Sequence, residues 1–116
     1  PRPLGFIWAG PAWAVKQIGG YDERFAEGFW HDDTDFFLGM WNSGLDFVFT
    51  DSISGIHLHH DRPSLLTDEG GRKIKLNTLY MAAKHGTCEP WANPHGLNRM
   101  TWVESRQPGQ TIWRHL

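Results

Sequence analysis

Gly19-Gly20-Tyr21-Asp22-Glu23-Arg24-Phe25 and, shortly after it, Asp32-Asp33-Thr34-Asp35-Phe36 are the two stretches that set the reading of this chain. The first is turn-rich, with two adjacent glycines followed by polar residues. The second reads as a helix start. Asp32 and Asp33 accept from the free N–H groups of a first turn and complement its dipole. Phe36–Met40 and Phe37–Trp41, each spaced i, i+4, supply an apolar face, and Asn42-Ser43-Gly44 ends the helix.

Upstream, the apolar run Gly5 to Val15 is divided by Gly10-Pro11 into two short pieces. Phe25, Phe29 and Trp30 read as anchors of a structured loop. Downstream, Leu45 to Thr50 is rich in aromatic and β-branched residues and predicts a strand, with a second at Ile53 to Leu58. His57-Leu58-His59-His60-Asp61-Arg62-Pro63 closes that strand. A second helix is expected over about Arg72 to His85, with Ile74, Leu76, Leu79, Tyr80 and Ala83 as apolar positions and Gly86 as its stop. Thr87 to Leu116 is rich in Pro, Gly and Trp, with one strand at Thr111–Trp113. No internal repeat, low-complexity tract or linker divides the chain, so one unit is expected over residues 1–116.

Composition bounds the function classes. With 116 residues, 40% hydrophobic and 21% charged, the chain suits one soluble globular unit with a single core. A net charge of −2 gives no basic field for a phosphate backbone, so no nucleic-acid partner is expected. No run reaches the ~18–20 apolar residues of a membrane span, and the amino end is not a signal peptide, so a cytoplasmic location is expected. The lone Cys88 excludes an internal disulfide and a Cys-rich zinc site. Aromatic residues make up 14% of the chain, and nearly half of them are Trp, whose flat faces suit sugar rings as well as cores.

Two clusters carry candidate chemistry. In His31-Asp32-Asp33-Thr34-Asp35, three carboxylates crowd a helix N-terminus, a place that tolerates them. They serve there as caps and a solvated acidic turn, or one of them is a general base facing a pocket walled by Trp30. In the second cluster, strand alternation puts His57 and His59 on one face, spaced for two imidazoles to hold one cation. His57-Leu58-His59-His60-Asp61 also resembles the H-x-H-x-D-H run of metallo-β-lactamase-like hydrolases through its aspartate, with Arg62 where the last His belongs. A metal-dependent hydrolase on His57, His59 and Asp61 is therefore one alternative. A non-catalytic, Trp-rich carbohydrate-binding module is another. Gly5 to Gly10 lacks the spacing and Lys of a phosphate loop, and the basic residues Arg72, Lys73, Lys75 and Lys84 read most simply as a solvated helix side.

The order of these pieces resembles the carboxyl-terminal half of a family 2 glycosyltransferase. The resemblance rests on Gly10 to Val15, on Ile18-Gly19-Gly20-Tyr21-Asp22-Glu23-Arg24-Phe25, on the acidic motif at 32–36, and on a strand ending in His. Asn77 and Lys84-His85-Gly86 extend it toward the β-1,4-galactosyltransferase-like branch. It implies an α/β chain forming the acceptor-side half of a GT-A fold, a mixed sheet with flanking helices. The implied activity is inverting transfer of a sugar from a nucleotide-diphosphate donor to a hydroxyl acceptor. The implied cofactor is a divalent cation, Mn2+ or Mg2+, on the diphosphate.

Residue by residue, the resemblance places Asp33 as the catalytic base, with Asp32 on the acidic position before it. Trp30 and Gly10 fall at the acceptor cleft, and Asp35 falls where the family orients the acceptor or supports the loop. His57 or His59 matches the metal ligand, and Arg62, just beyond, reads either as a contact to the donor diphosphate or, more simply, as a surface arginine. This sequence departs from the family's pattern in three ways. Asp32 replaces the usual Glu, Gly39 stands where an Arg is usual, and no Asp-x-Asp follows an apolar strand upstream. A donor-binding half, in the same or another chain, is accordingly expected as a partner.

Overall fold

The computed structural model describes residues 6–61, 65–88 and 102–115, as three helices, a short 3-10 turn and a three-stranded sheet. Helix α1, Ala12–Ile18, begins directly after Pro11, whose fixed φ and missing N–H suit a helix boundary. It ends at Gly19 and Gly20, with φ of +81° and +77°, which return their N–H groups to the Lys16 and Val15 carbonyls. A 3-10 turn, Glu23–Glu27, follows, started by the Asp22 side chain accepting from the Arg24 N–H. Helix α2, Asp32–Asn42, starts at the expected residue and brings three carboxylates into its first turn.

Helix α2 is the centre of the molecule. Phe36, Phe37 and Met40 pack with Ala14 of α1, and Val15, Ile18, Leu45 and Phe47 close around them. Gly39 lets the two helices approach, since a Cβ there would meet the Ile18 side chain at 3.3 Å. On another side, Leu38 joins Phe25 and Met81 in a second cluster. Trp41, 2% exposed, stacks on the His115 ring at 3.9 Å and meets Phe47 and Trp113 edge-on. An i, i+4 pattern alone suggests one buried face; α2 is covered on several because helices and sheet all converge on it.

Strand β1, Phe47–Thr50, falls inside the stretch expected to be extended. It pairs antiparallel with the last strand, so helix α3, Asp68–His85, intervenes before its partner arrives. Strands β2, Trp102–Gln107, and β3, Gln110–His115, form a hairpin across Pro108-Gly109, with Gly109 at φ +70°. The order is β1-β3-β2, with Phe47 opposite Trp113 and Glu104 also opposite Trp113 on the far side. The chain is thus mixed helix and sheet, as expected, but among the described residues both strand pairings are antiparallel, where a mixed sheet is expected.

Three boundaries differ from expectation. Ile53 to Leu58 is not a strand: it runs without ladder partners, leaving Ile56 89% and Leu58 78% exposed. Apolar, β-branched composition does not by itself make a strand, which also needs a partner with which to form a ladder. Helix α3 starts earlier than Arg72, because the Thr67 hydroxyl caps the Gly70 N–H at 3.0 Å and outweighs the two glycines that follow. Strand β2 is an addition, and its Pro-Gly turn is the signal that marks it.

Helix α3 holds the loop before α2 in place. Asn77, 1% exposed, donates its Nδ2 hydrogens to the carbonyls of Phe25 (2.9 Å) and Trp30 (2.8 Å). The Phe29 N–H reaches the Lys73 carbonyl at 3.2 Å. Gly28 permits this contact, since a Cβ there would lie 2.6 Å from the Lys73 carbonyl oxygen and overlap the Asn77 amide. Gly28→Ala is therefore expected to destabilise the fold by about 2–3 kcal/mol, through overpacking against backbone. Gly71→Ala, in open space on the same helix, is expected to be neutral or to stabilise by up to about 1 kcal/mol. Urea unfolding of the two variants checks the contrast.

Candidate functional site

A cavity of about 420 Å3 lies where the loop between the 3-10 turn and α2 crosses the start of that helix. Tyr21, Phe25, Phe29 and Trp30 give it aromatic walls, and Asp22, Glu23 and Asp32 give it an acidic rim. Trp30 and His31 stand at φ +67° and +69°, consecutive left-handed conformations that non-glycine residues rarely adopt. Each costs on the order of 1–3 kcal/mol. Asn77 on the Trp30 carbonyl and the bond between His31 Nε2 and Thr78 Oγ1, 3.1 Å, hold them there. The Thr78 hydroxyl donates to the Ile74 carbonyl at 2.9 Å, so it accepts from His31, whose Nε2 therefore carries the hydrogen. The result is a Trp30 ring left 56% exposed at the cavity's edge, directly before the helix N-terminus.

The three carboxylates of the acidic motif have three different surroundings. Asp32 is exposed and lines the cavity. Asp33 is half-buried beside it and accepts from the Tyr21 hydroxyl at 3.4 Å. The Tyr21 ring lies flat on Phe36, centroids 4.2 Å apart. Burial and then the Asp33 charge push the Tyr21 phenol above its ordinary value, so it stays protonated and donates. Asp35 faces the other way. It is buried, with His85 Nε2 at 2.6 Å and Lys84 Nζ at 2.8 Å. Of the two roles its motif implies, orienting an acceptor or supporting the loop, its position is that of support. It borders a smaller cavity of about 180 Å3 with Lys84, His85 and Gly39, away from Trp30.

Lys84 extends the network to the Gly-Gly-Tyr-Asp-Glu segment. Its ammonium also meets Asp22 Oδ2 at 2.8 Å, and the Tyr80 hydroxyl donates to the same oxygen at 2.7 Å. Arg24 adds a bond from the other side. These donors, Lys84 and Tyr80 foremost, hold the Asp22 carboxyl well below the usual carboxylate range. Burial opposes the charge on Lys84, but its bonds to Asp22 and Asp35 outweigh that and raise its value.

The remaining expected site residues lie elsewhere. Gly10 is exposed near Trp8 and Met40, at the entry to α1 rather than on the cavity wall. His57 and His59 are exposed on the irregular segment after β1, so the strand alternation that would put them on one face does not exist. The ring that meets His57 is His60, at 5.2 Å, with Phe6 on another side at 5.0 Å. Two residues after Phe6, Trp8 packs on Phe36 and reaches Tyr21, so the run 6–8 links the histidine segment to the Tyr21–Asp33 pair. Among the described residues no three His, Cys, Asp or Glu side chains gather as ligands for a metal ion. His57 and His59 thus assemble no metal site with other described residues, and His57, His59 and Asp61 do not form a hydrolase centre. Arg62 lies outside the described residues.

Tyr21 and Tyr80 are functional neighbours that sequence reasoning missed. The signal for Tyr21 was its place between the paired glycines and Asp22; Tyr80 was read only as an apolar helix position. Among the described residues no helix is long and apolar enough to cross a membrane. Comparison with known proteins finds no matching family model, no matching curated protein and no matching solved structure.

Because the Asp22 carboxyl is more acidic folded than unfolded, its contribution is full above the unfolded value and is lost as pH falls toward the folded one. Stability is expected to decline below about pH 4. Asp22→Asn should lower stability at neutral pH and flatten that acid limb, as read from urea midpoints between about pH 6 and pH 2. An unchanged acid limb in the variant would contradict the assignment.

Proposed function

We propose that the chain is the acceptor-side half of an inverting glycosyltransferase of GT-A type, with Asp33 as general base. The observation that carries this reading is the placement of Asp33 in the first turn of α2, next in sequence to Asp32 on the rim of an aromatic cavity and bonded to Tyr21 of its wall, though not itself part of that wall. The positive end of the helix dipole favours an ionised group there, and Trp30 offers an exposed flat face for a sugar ring. Three of the sequence segments behind the family resemblance meet in one network: Asp22 from the glycine-rich segment, Asp35 from the acidic motif, and Lys84 and His85 from the end of α3.

In the proposed reaction an acceptor hydroxyl stacks its sugar or ring against Trp30 and presents its O–H to Asp33. Asp33 takes the proton as the oxygen attacks the anomeric carbon from the face opposite the donor phosphate. The bond between that carbon and the phosphate oxygen breaks, and its electron pair leaves on the nucleoside diphosphate. Asp32 shapes the cavity rim. The donor, a nucleotide sugar, is bound chiefly by a donor-binding half in the same or another polypeptide. Arg62 is assigned to the donor diphosphate on sequence grounds. A divalent cation, Mn2+ or Mg2+, supplies leaving-group stabilisation in such chemistry; the described residues do not assemble a site for it, and no step here passes through it. A cytoplasmic setting agrees with a lone, half-buried thiol at Cys88.

Joined to its donor-binding half, Asp33→Asn is expected to lower kcat by about 10²–10⁴ while leaving donor KM within about twofold. Wild-type turnover in that variant would remove Asp33 as the base. On this chain alone, Trp30→Ala is expected to weaken binding of oligosaccharide acceptors by about tenfold or more, followed by tryptophan fluorescence. The non-catalytic carbohydrate-binding reading is favoured by the same exposed Trp30. It predicts that Trp30→Ala loses binding but that Asp33→Asn changes no rate in any assembly.

A further inference from the structure

We propose that His57 and His60 together bind one transition-metal cation of borderline softness, such as Zn2+ or Ni2+, through two imidazole nitrogens. Their ring centroids lie 5.2 Å apart at an interplanar angle of 44°. Two imidazoles on a tetrahedral ion, each at about 2.0–2.1 Å, place their centroids roughly 5 Å apart. The ring separation is therefore that of two imidazoles sharing one ion.

The tautomer of His60 is suited to the role. Its Nδ1 lies 3.0 Å from the Asp61 carbonyl oxygen. A carbonyl only accepts, so Nδ1 carries the hydrogen and Nε2 is left with its lone pair. A backbone carbonyl on the second nitrogen is also the partner that commonly fixes and strengthens a metal-binding imidazole. Phe6 packs against the His57 ring at 5.0 Å and limits its rotation. Residues 53–61 are exposed, so water can complete the coordination.

The donor set decides the ion. Two neutral imidazoles and water suit Ni2+, Cu2+ and Zn2+, and leave Mn2+ and Mg2+ weakly held. This differs from the hard cation expected on a sugar-nucleotide diphosphate, and the pair is His57 with His60 rather than with His59. The inference stands apart from the transfer reaction and holds whether or not Asp33 is a base.

Calorimetric titration of the untagged 116-residue chain with Ni2+, Zn2+ and Mn2+, without nucleotide, tests it. One ion per chain is expected, with Ni2+ and Zn2+ bound at least about tenfold more tightly than Mn2+. His57→Ala and His60→Ala should each weaken Ni2+ by about tenfold or more, and His59→Ala by less than about twofold. All three side chains are exposed, and unchanged circular dichroism confirms that the variants fold. In the wild type, Ni2+ should broaden the ring-proton NMR signals of His57 and His60 first. No saturable binding, an unaffected His60→Ala, or an equal loss in His59→Ala would overturn the proposal.

Discussion

The Lys84 ammonium, held between the carboxylates of Asp22 and Asp35, is the contact on which the arrangement of the site depends. It joins the turn after α1, the first turn of α2 and the last turn of α3, which are far apart in sequence. Its position near the C-terminus of α3 is favourable in itself, because the helix dipole is negative there. Bringing charges out of water is costly unless each finds partners. Here Asp22 has Lys84, Tyr80 and Arg24, and Asp35 has Lys84 and His85. Removing Lys84 would leave two partly desolvated carboxylates facing each other, so the network sets geometry more than it adds net stability.

A second constraint acts through uncharged bonds. The chain between the 3-10 turn and α2 must pass Trp30 and His31 in left-handed conformations, which cost energy without compensation of their own. Asn77 and Thr78, nearly two turns before Lys84 on the same helix, supply that compensation by binding the Phe25 and Trp30 carbonyls and the His31 ring. The exposed Trp30 ring is thus a consequence of backbone held from behind by α3. More than half of that ring faces water and gains little from packing, and it borders the same cavity as Asp32.

Much of this was legible in the sequence, and the parts that were not have physical causes. The Asp32 start of α2, the Gly86 stop of α3 and the β1 stretch are local effects of acidic first-turn residues, a glycine and β-branched and aromatic residues, so neighbouring sequence is enough to find them, whereas helix α1 was not expected. The Ile53–Leu58 strand failed because strand formation depends on a remote partner that local composition does not supply; among the described residues β1 pairs with β3 and not with this segment. With the strand went the alternation argument that paired His57 with His59. The early start of α3 was hidden by Gly70-Gly71, whose poor propensity is offset by the Thr67 cap. The roles of Asn77, Tyr21 and Tyr80 are contacts across long sequence separations, and no periodicity encodes them.

The acidic motif shows how one short sequence is divided by its surroundings. On a helix, Asp32, Asp33 and Asp35 point in different directions, so each meets a different neighbour. Asp35 is turned inward to Lys84 and His85 and is committed to structure. Asp32 faces open water on the cavity rim and has room to contact a ligand. Asp33 lies between these extremes, half-buried, and touches a phenol that stays protonated. A general base needs access to its proton source, an orienting donor and partial shelter from water. Of the three carboxylates, Asp33 is the one that combines partial burial with a phenol donor, and the proposed assignment of the base rests on that difference more than on the motif's spelling.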